Sequence, residues 1–244
     1  MTPAKKIILH FIVPVFVLYF SCSARIDGVV REGGAAELAL KASLQPRTIA
    51  IIRSLQGFIG EATDEPILDG PEISRSLSAS PGVRAVSLKN IDLSTLEGSI
   101  SISNVGDFLT VAAAAGDSKV RFITYTEGRS AGTSSLIATL DRNTAPELIS
   151  RLSPEAEEYL SALMAPVVLG ETSTRQEYLD LLALVYGRSL ADEIAGARIR
   201  AVIEFPRSLA SVKGGTSAGN KAEFDISLVD LLVLEYPQQY EITW

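Results

Sequence analysis

The chain has 244 residues, with 22 Lys and Arg against 29 Asp and Glu, a formal net charge of −7, and 47% hydrophobic residues. That apolar content fills the core of a large domain and excludes a disordered or collagen-like polymer, while the acidic balance excludes the basic surface of a non-specific nucleic-acid binder. One Cys and one His exclude a disulfide framework and a structural zinc site, and no cofactor site is read in the chain.

Lys5 and Lys6 form a positive stretch ahead of an apolar run from Ile7 to Phe20, interrupted by Pro14. As a helix that run rises about 21 Å, short of the roughly 30 Å hydrocarbon core of a bilayer. Length and flanks predict a cleavable secretory signal over 1–21 rather than a membrane span.

Tyr19-Phe20-Ser21-Cys22-Ser23 follows. It resembles the lipobox of bacterial lipoproteins, where a small residue precedes a Cys that is acylated and becomes the mature N-terminus. Leu18 stands four places before Cys22, with Tyr19 in the slot where the family usually carries Leu, a looser form like that of spirochaete lipoproteins. The resemblance implies lipidation at Cys22, and two or three acyl chains hold a protein stably on a membrane. Removing residues 1–21 leaves 223 residues, moves the formal charge to −9 and takes away His10, so the mature domain has no imidazole.

Residues 22–26 are predicted as the acylated Cys with a short tether, and 27–244 as an extracytoplasmic domain. Three extended residues between Cys22 and Ile26 reach roughly 10 Å, which places the domain close to the membrane. Ile26 to Arg31 reads as a strand, Gly33-Gly34 as a turn, and Glu37 to Leu44 as an alternating strand. Pro46 opens a helix through Ile59 with Ile49, Ile52 and Leu55 on one face. A loop from Asp64 to Pro71 leads to a short helix bearing Ile73 and Leu77. Val83–Ile91 and Leu96–Ser103 are predicted strands joined near Asp92–Ser94. Asn104 caps a helix with Phe108 and Leu109 that ends near Gly116.

Lys119–Glu127 and Ser134–Asp141 form a predicted hairpin. A helical block covers Pro146–Gly187, with one start at Ser153-Pro154-Glu155 and a capping box at Thr174-Arg175-Gln176-Glu177. Ser189–Ile194 adds a further turn. Arg198–Phe205 pairs with Ala222–Ile226 across a Gly-rich turn, Ser227–Leu234 is open between helix and strand, and Tyr240–Trp244 closes the chain. The fold class this predicts is α+β: a mainly antiparallel sheet with packed helices in a single domain.

Several motifs carry chemistry elsewhere and are weighed here on their context. Gly128-Arg129-Ser130-Ala131-Gly132 and Gly215-Thr216-Ser217-Ala218-Gly219 both match G-x-S-x-G, but each lies between strand-like runs and the mature chain has no His base. A Ser–Lys dyad at Ser217 has Lys213 and Lys221 within four residues, where they serve a solvated turn. Gly214–Lys221 approaches a phosphate-binding loop, yet Asn220 intrudes, Ala222 replaces the metal-holding hydroxyl, and a strand follows. Glu155, Glu157 and Glu158 open a helix, where negative charge suits the dipole. Asp64-Glu65 and Asp192-Glu193 are adjacent and point apart. No catalytic residue is assigned.

The Leu-rich runs Leu160–Leu169 and Tyr178–Tyr186 read as core helices or as the lining of an apolar cavity. Cys22 followed by Asp27-Gly28, the Gly33-Gly34 turn, Phe205-Pro206, Gly214-Gly215 and Leu228–Leu234 together resemble uncharacterised spirochaete lipoproteins and, remotely, LppM-type lipoproteins. The latter resemblance implies a domain associated with lipid. The expected function is a non-enzymatic lipoprotein of the cell envelope, at the outer membrane or facing the periplasm, held through Cys22. Its expected partner is an apolar ligand, with an envelope protein bound by an interaction module as the alternative and a carboxylate hydrolase as a distant third.

Overall fold

The computed structural model describes residues 23–50, 53, 66–114, 123–128, 133–146, 161 and 163–244. Chain order runs β1 (Ser23–Val30), β2 (Ala36–Ser43), α1 (Gly70–Ser78), β3 (Val83–Asn90), β4 (Thr95–Ile102), α2 (Val105–Ala114), β5 (Ile123–Thr126) and β6 (Ser135–Leu140). It continues with α3 (Ala165–Val168), α4 (Arg175–Tyr186), α5 (Arg188–Gly196), β7 (Arg198–Glu204), β8 (Ser211–Lys213), β9 (Thr216–Ala218), β10 (Lys221–Ser227), α6 (Leu228–Val233) and β11 (Gln238–Thr243). Residues 46–50 are helical.

Two sheets result, a seven-stranded one in the order β3-β4-β2-β1-β7-β10-β9 and a four-stranded one in the order β5-β6-β11-β8. Every pairing is antiparallel except β1 with β7. The α+β expectation therefore holds, with one parallel contact that local pattern could not supply.

Alternation along each strand sets the two faces of the large sheet. Ala24 stands opposite Ala42 and Ile199, and Ala42 opposite Leu96, so one face is apolar and closed. The other face is solvated and laced with charge: Lys41 and Lys89 reach Glu97 at 4.0 and 3.4 Å, Arg198 and Arg200 reach Asp225 at 4.0 and 3.9 Å, and Lys221 reaches Glu204 at 3.3 Å. Such exposed pairs contribute little to stability; their effect is to keep this face wet and in register.

The tether prediction changes here. Strand β1 begins at Ser23, not Ile26, because the alternation already starts at Ala24, which is buried between β2 and β7. Residues 23–26 are sheet, and Cys22 adjoins the first strand directly.

Ser23 lies opposite Ser43 and Arg198, Arg198 opposite Ser227, and Ser43 opposite Thr95. One end of the large sheet thus gathers the start of β1, the helical 46–50 segment, the β3–β4 turn, the end of α5 and the start of α6. On that half the apolar face is covered by helices: Tyr178 and Leu182 of α4, Leu190 and Ile194 of α5, and Leu228, Val229, Leu231 and Leu232 of α6 share a core with Ala24, Leu40 and Leu96. Towards the opposite end the small sheet packs on the same face, around Phe205, Phe224, Ile242 and Trp244. Ile26 and Ile226 touch both cores.

Several predicted elements appear as read. Asn104 accepts from the Asp107 N–H at 3.0 Å and starts α2. Ile73 and Leu77 are the buried stripe of α1. The Thr174–Glu177 capping box opens α4, and its backbone and hydroxyl bonds hold the Glu177 carboxyl below the usual range. The open segment Ser227–Leu234 resolves as helix α6, ending at Leu234 with φ 48°. The start at Ser153, the acidic cluster 155–158, Asp64-Glu65, Ile52, Leu55 and the end of α2 near Gly116 lie outside the described residues. Among the described residues no helix is long and apolar enough to cross a membrane.

Candidate functional site

The chain leaves β8 in the small sheet and enters β9 in the large one through Gly214 and Gly215. Gly214 has φ 76°, and a Cβ there would stand 2.6 Å from the Gln239 carbonyl oxygen. A Cβ on Gly215 would stand 2.5 Å from the Glu223 oxygen. Only glycines let the strand turn this corner so close to both sheets. Beside the corner lies an open cleft of about 590 Å³, lined by Arg175, Arg198, Lys213, Asp225, Asp230 and Tyr240 among others.

Arg175 lines the cleft. Its Nη1 donates to Asp230 Oδ1 at 2.9 Å and Ser227 Oγ at 3.2 Å, its Nη2 donates to the Ala195 carbonyl at 3.3 Å, and its backbone N–H donates to Glu235 at 2.8 Å. Arg198 Nη1 donates to the Ala195 and Ala197 carbonyls at 3.2 and 2.9 Å. Lys213 Nζ donates to Gln239 Oε1 at 2.6 Å. Burial, with the charge of Asp230 added, pushes the Tyr240 phenol up to about 12, so it stays protonated. Each polar group already has an internal partner. Arg175 thus ties α4 to α5, α6 and the large sheet, and the cleft is polar, unlike the apolar cavity a lipid carrier needs.

A second clamp lies on Arg142, which donates to the carbonyls of Leu234, Glu171 and Ser173 at 2.8, 2.5 and 2.9 Å. It fixes the approach to α4 and the left-handed end of α6. Sequence reading missed Arg142 and Arg175. Arg142 belongs to no motif and Arg175 stands in the capping box only as a spacer, and their acceptors lie far off in sequence or on the backbone, where they carry no signal.

The motif residues fall apart in space. Ser217 is exposed in the edge strand β9, opposite Ala222, and the chain passes through Gly219 into another strand rather than a helix. Lys221 pairs with Glu204 and lowers that carboxyl. Glu193 accepts from the Thr48 N–H and hydroxyl at 3.2 and 3.3 Å, while its neighbour Asp192 turns to Arg188 at 3.3 Å. Ser130 and Cys22 lie outside the described residues. Among the described residues no group of His, Cys, Asp and Glu has metal-ligand geometry.

The Leu-rich α4 divides along its own axis. Tyr178 and Leu182 enter the core, and burial pushes the Tyr178 phenol well above its ordinary value while its hydroxyl donates to the Leu163 carbonyl at 2.8 Å. Leu184 is 83% exposed, with Leu181 and Val185 beside it at 48% and 59%. Leu169, at the end of α3, is 71% exposed. Ile91 and Leu93 are exposed in the β3–β4 turn, and Tyr236 after α6. Among the described residues the large exposed apolar side chains all lie on or next to segments that feed the helix-covered core.

No family model matches the chain. No curated protein matches it either. Among solved structures, the NMR structure of the folded domain of LppM from Mycobacterium tuberculosis resembles it weakly, with 11% identity over 91% of this chain and 87% of that one and a TM-score of 0.38.

Proposed function

We propose that the chain is a lipid-anchored domain of the cell envelope, acylated at Cys22, which acts by contact rather than by catalysis. The anchoring reading rests on the charged start, the short apolar run and the lipobox-like Ser21-Cys22. The observation that carries the contact reading is the exposed apolar set around Leu184, where a carrier of apolar ligands would put those leucines around a cavity. Among the described residues Ser217 stands exposed in an edge strand, and Asp192 and Glu193 turn to different partners, which supports a role without chemistry. Replacing Cys22 by Ala tests the anchor. Fatty-acid labelling and partition into the detergent phase are both lost if it is right, and membrane attachment that survives in that variant contradicts it.

A further inference from the structure

We propose that the half of the domain where β1 begins rests on a lipid bilayer, with Leu184, Leu181, Val185, Leu169, Ile91 and Leu93 entering the interface. This extends the proposed anchoring, and it is a statement about orientation: the domain does not hang freely from its lipid but lies against the surface with one half down.

Three observations converge. The first is the distribution of apolar exposure. The six residues sit on the β3–β4 turn, at the end of α3 and on α4, segments that contribute Leu88, Leu96, Val167, Tyr178 and Leu182 to the helix-covered core, and the β3–β4 turn lies at the end of the large sheet that holds Ser23. The connections at the other end are polar, with Glu32 and Arg207 joined at 3.3 Å and Gly219-Asn220 forming a tight turn. Separate elements exposing apolar side chains on one half of the molecule suit a broad, deformable surface better than a groove-shaped partner.

The second is the reach of the chain. One residue spans at most about 3.6 Å, and Cys22 immediately precedes a strand whose first residue is already paired on both sides. A lipid on Cys22 therefore holds this end of the sheet at the membrane. At that effective concentration a weak apolar contact is enough to fix the orientation.

The third is charge. Around the apolar set the charges are mixed: Arg188 pairs with Asp192, and Glu177 and Asp180 lie on α4 itself. Among the described residues the basic groups at this end have carboxylate partners, Lys41 and Lys89 at Glu97 and Arg198 and Arg200 at Asp225, so a zwitterionic surface suffices. Tyr186 and Tyr236, both partly or largely exposed, bring apolar rings with a polar tip, which suits the head-group depth.

The test uses the full chain, processed by its host, with a single introduced thiol at Leu184→Cys or, as the control at the opposite end, Ser208→Cys. Each carries a polarity-sensitive fluorophore and is reconstituted in phosphatidylcholine vesicles doped with a lipid whose acyl chain bears a quencher. The result expected is a blue shift and at least threefold stronger quenching at 184 than at 208, unchanged when phosphatidylglycerol is added or salt is raised. Equal, water-like signals at both positions overturn the proposal while leaving the anchor standing. A blue shift at 184 without lipid shows that another copy covers the patch and also overturns it. Mass spectrometry of the N-terminal peptide reads the anchor separately. If Cys22 is unmodified, the probes are placed in the Cys22→Ala background with vesicles added. Quenching confined to 184 then shows a contact strong enough without the anchor and keeps the proposal, whereas its absence overturns the anchored orientation together with the anchor it rests on.

Discussion

The apolar face of the large sheet is covered by helices where β1 begins and along β3 and β4, and by a second sheet at the far end of β7 and β10. The helical half buries aliphatic side chains and leaves others outside, so that Leu182 is 5% exposed and Leu184, two residues on, is 83% exposed. The sheet-covered half is aromatic and closed: Phe205 stands 4.6 Å from Trp244, and Phe224 meets Tyr240 edge-on at 5.8 Å. Both halves have cores, yet apolar surplus reaches solvent on one of them alone among the described residues. A protein shaped only by stability has no reason for that asymmetry, since an exposed Leu contributes little to folding. A surface that meets something apolar has one.

Mutation can break this comparison. Phe205→Ala removes a nearly inaccessible ring from the two-sheet core, with an expected loss of about 3–5 kcal/mol in denaturant unfolding. Leu184→Ala, on the helical half, is expected to cost about 0.5 kcal/mol or less. Comparable losses at the two sites would mean that Leu184 belongs to the core and would remove the asymmetry.

A smaller effect tests the seam between the halves, where Tyr240 belongs to the aromatic core and also faces Asp230 of α6 across the cleft. Its folded value, pushed up to about 12, lies above the ordinary value of about 10 for an unfolded Tyr. The stability this contributes is whole below about pH 10 and is lost as the pH rises through the folded value. Tyr178 shifts in the same direction by burial and adds to the slope. Tyr240→Phe is expected to flatten the alkaline decline in melting temperature, and an unchanged decline would mean that the cleft does not hold the phenol as described.

How much of this was legible in the sequence follows from the range of the interactions. The capping box at Thr174, the Asn104 cap and the Ile73–Leu77 stripe were readable because each is settled within one or two helical turns. The β5–β6 hairpin and the pairing of β7 with β10 were readable because the partners are near in sequence, although β8 and β9 lie between the latter pair. The parallel contact of β1 with β7 was not, since it brings Ser23 to Arg198 across most of the chain. Gly214-Gly215 was read as part of a turn, whereas it passes a strand from one sheet to the other, a role visible only once both sheets exist. Ser227–Leu234 was ambiguous because nearly every side chain in it is buried, and a segment buried all round has no periodicity to read. The same limit hid the division of α4, where composition gives leucines on every side and the neighbours decide which of them are covered.

Hydrogen exchange of the acylated protein on phosphatidylcholine vesicles, compared with the same protein carrying Cys22→Ala in solution, tests the two-ended account most directly. The expected result is added protection in residues 91–94 and 181–187, with the opposite-end connections 205–210 and 219–220 exchanging alike in both states. Protection spread evenly over the domain, or confined to the opposite end, would contradict it.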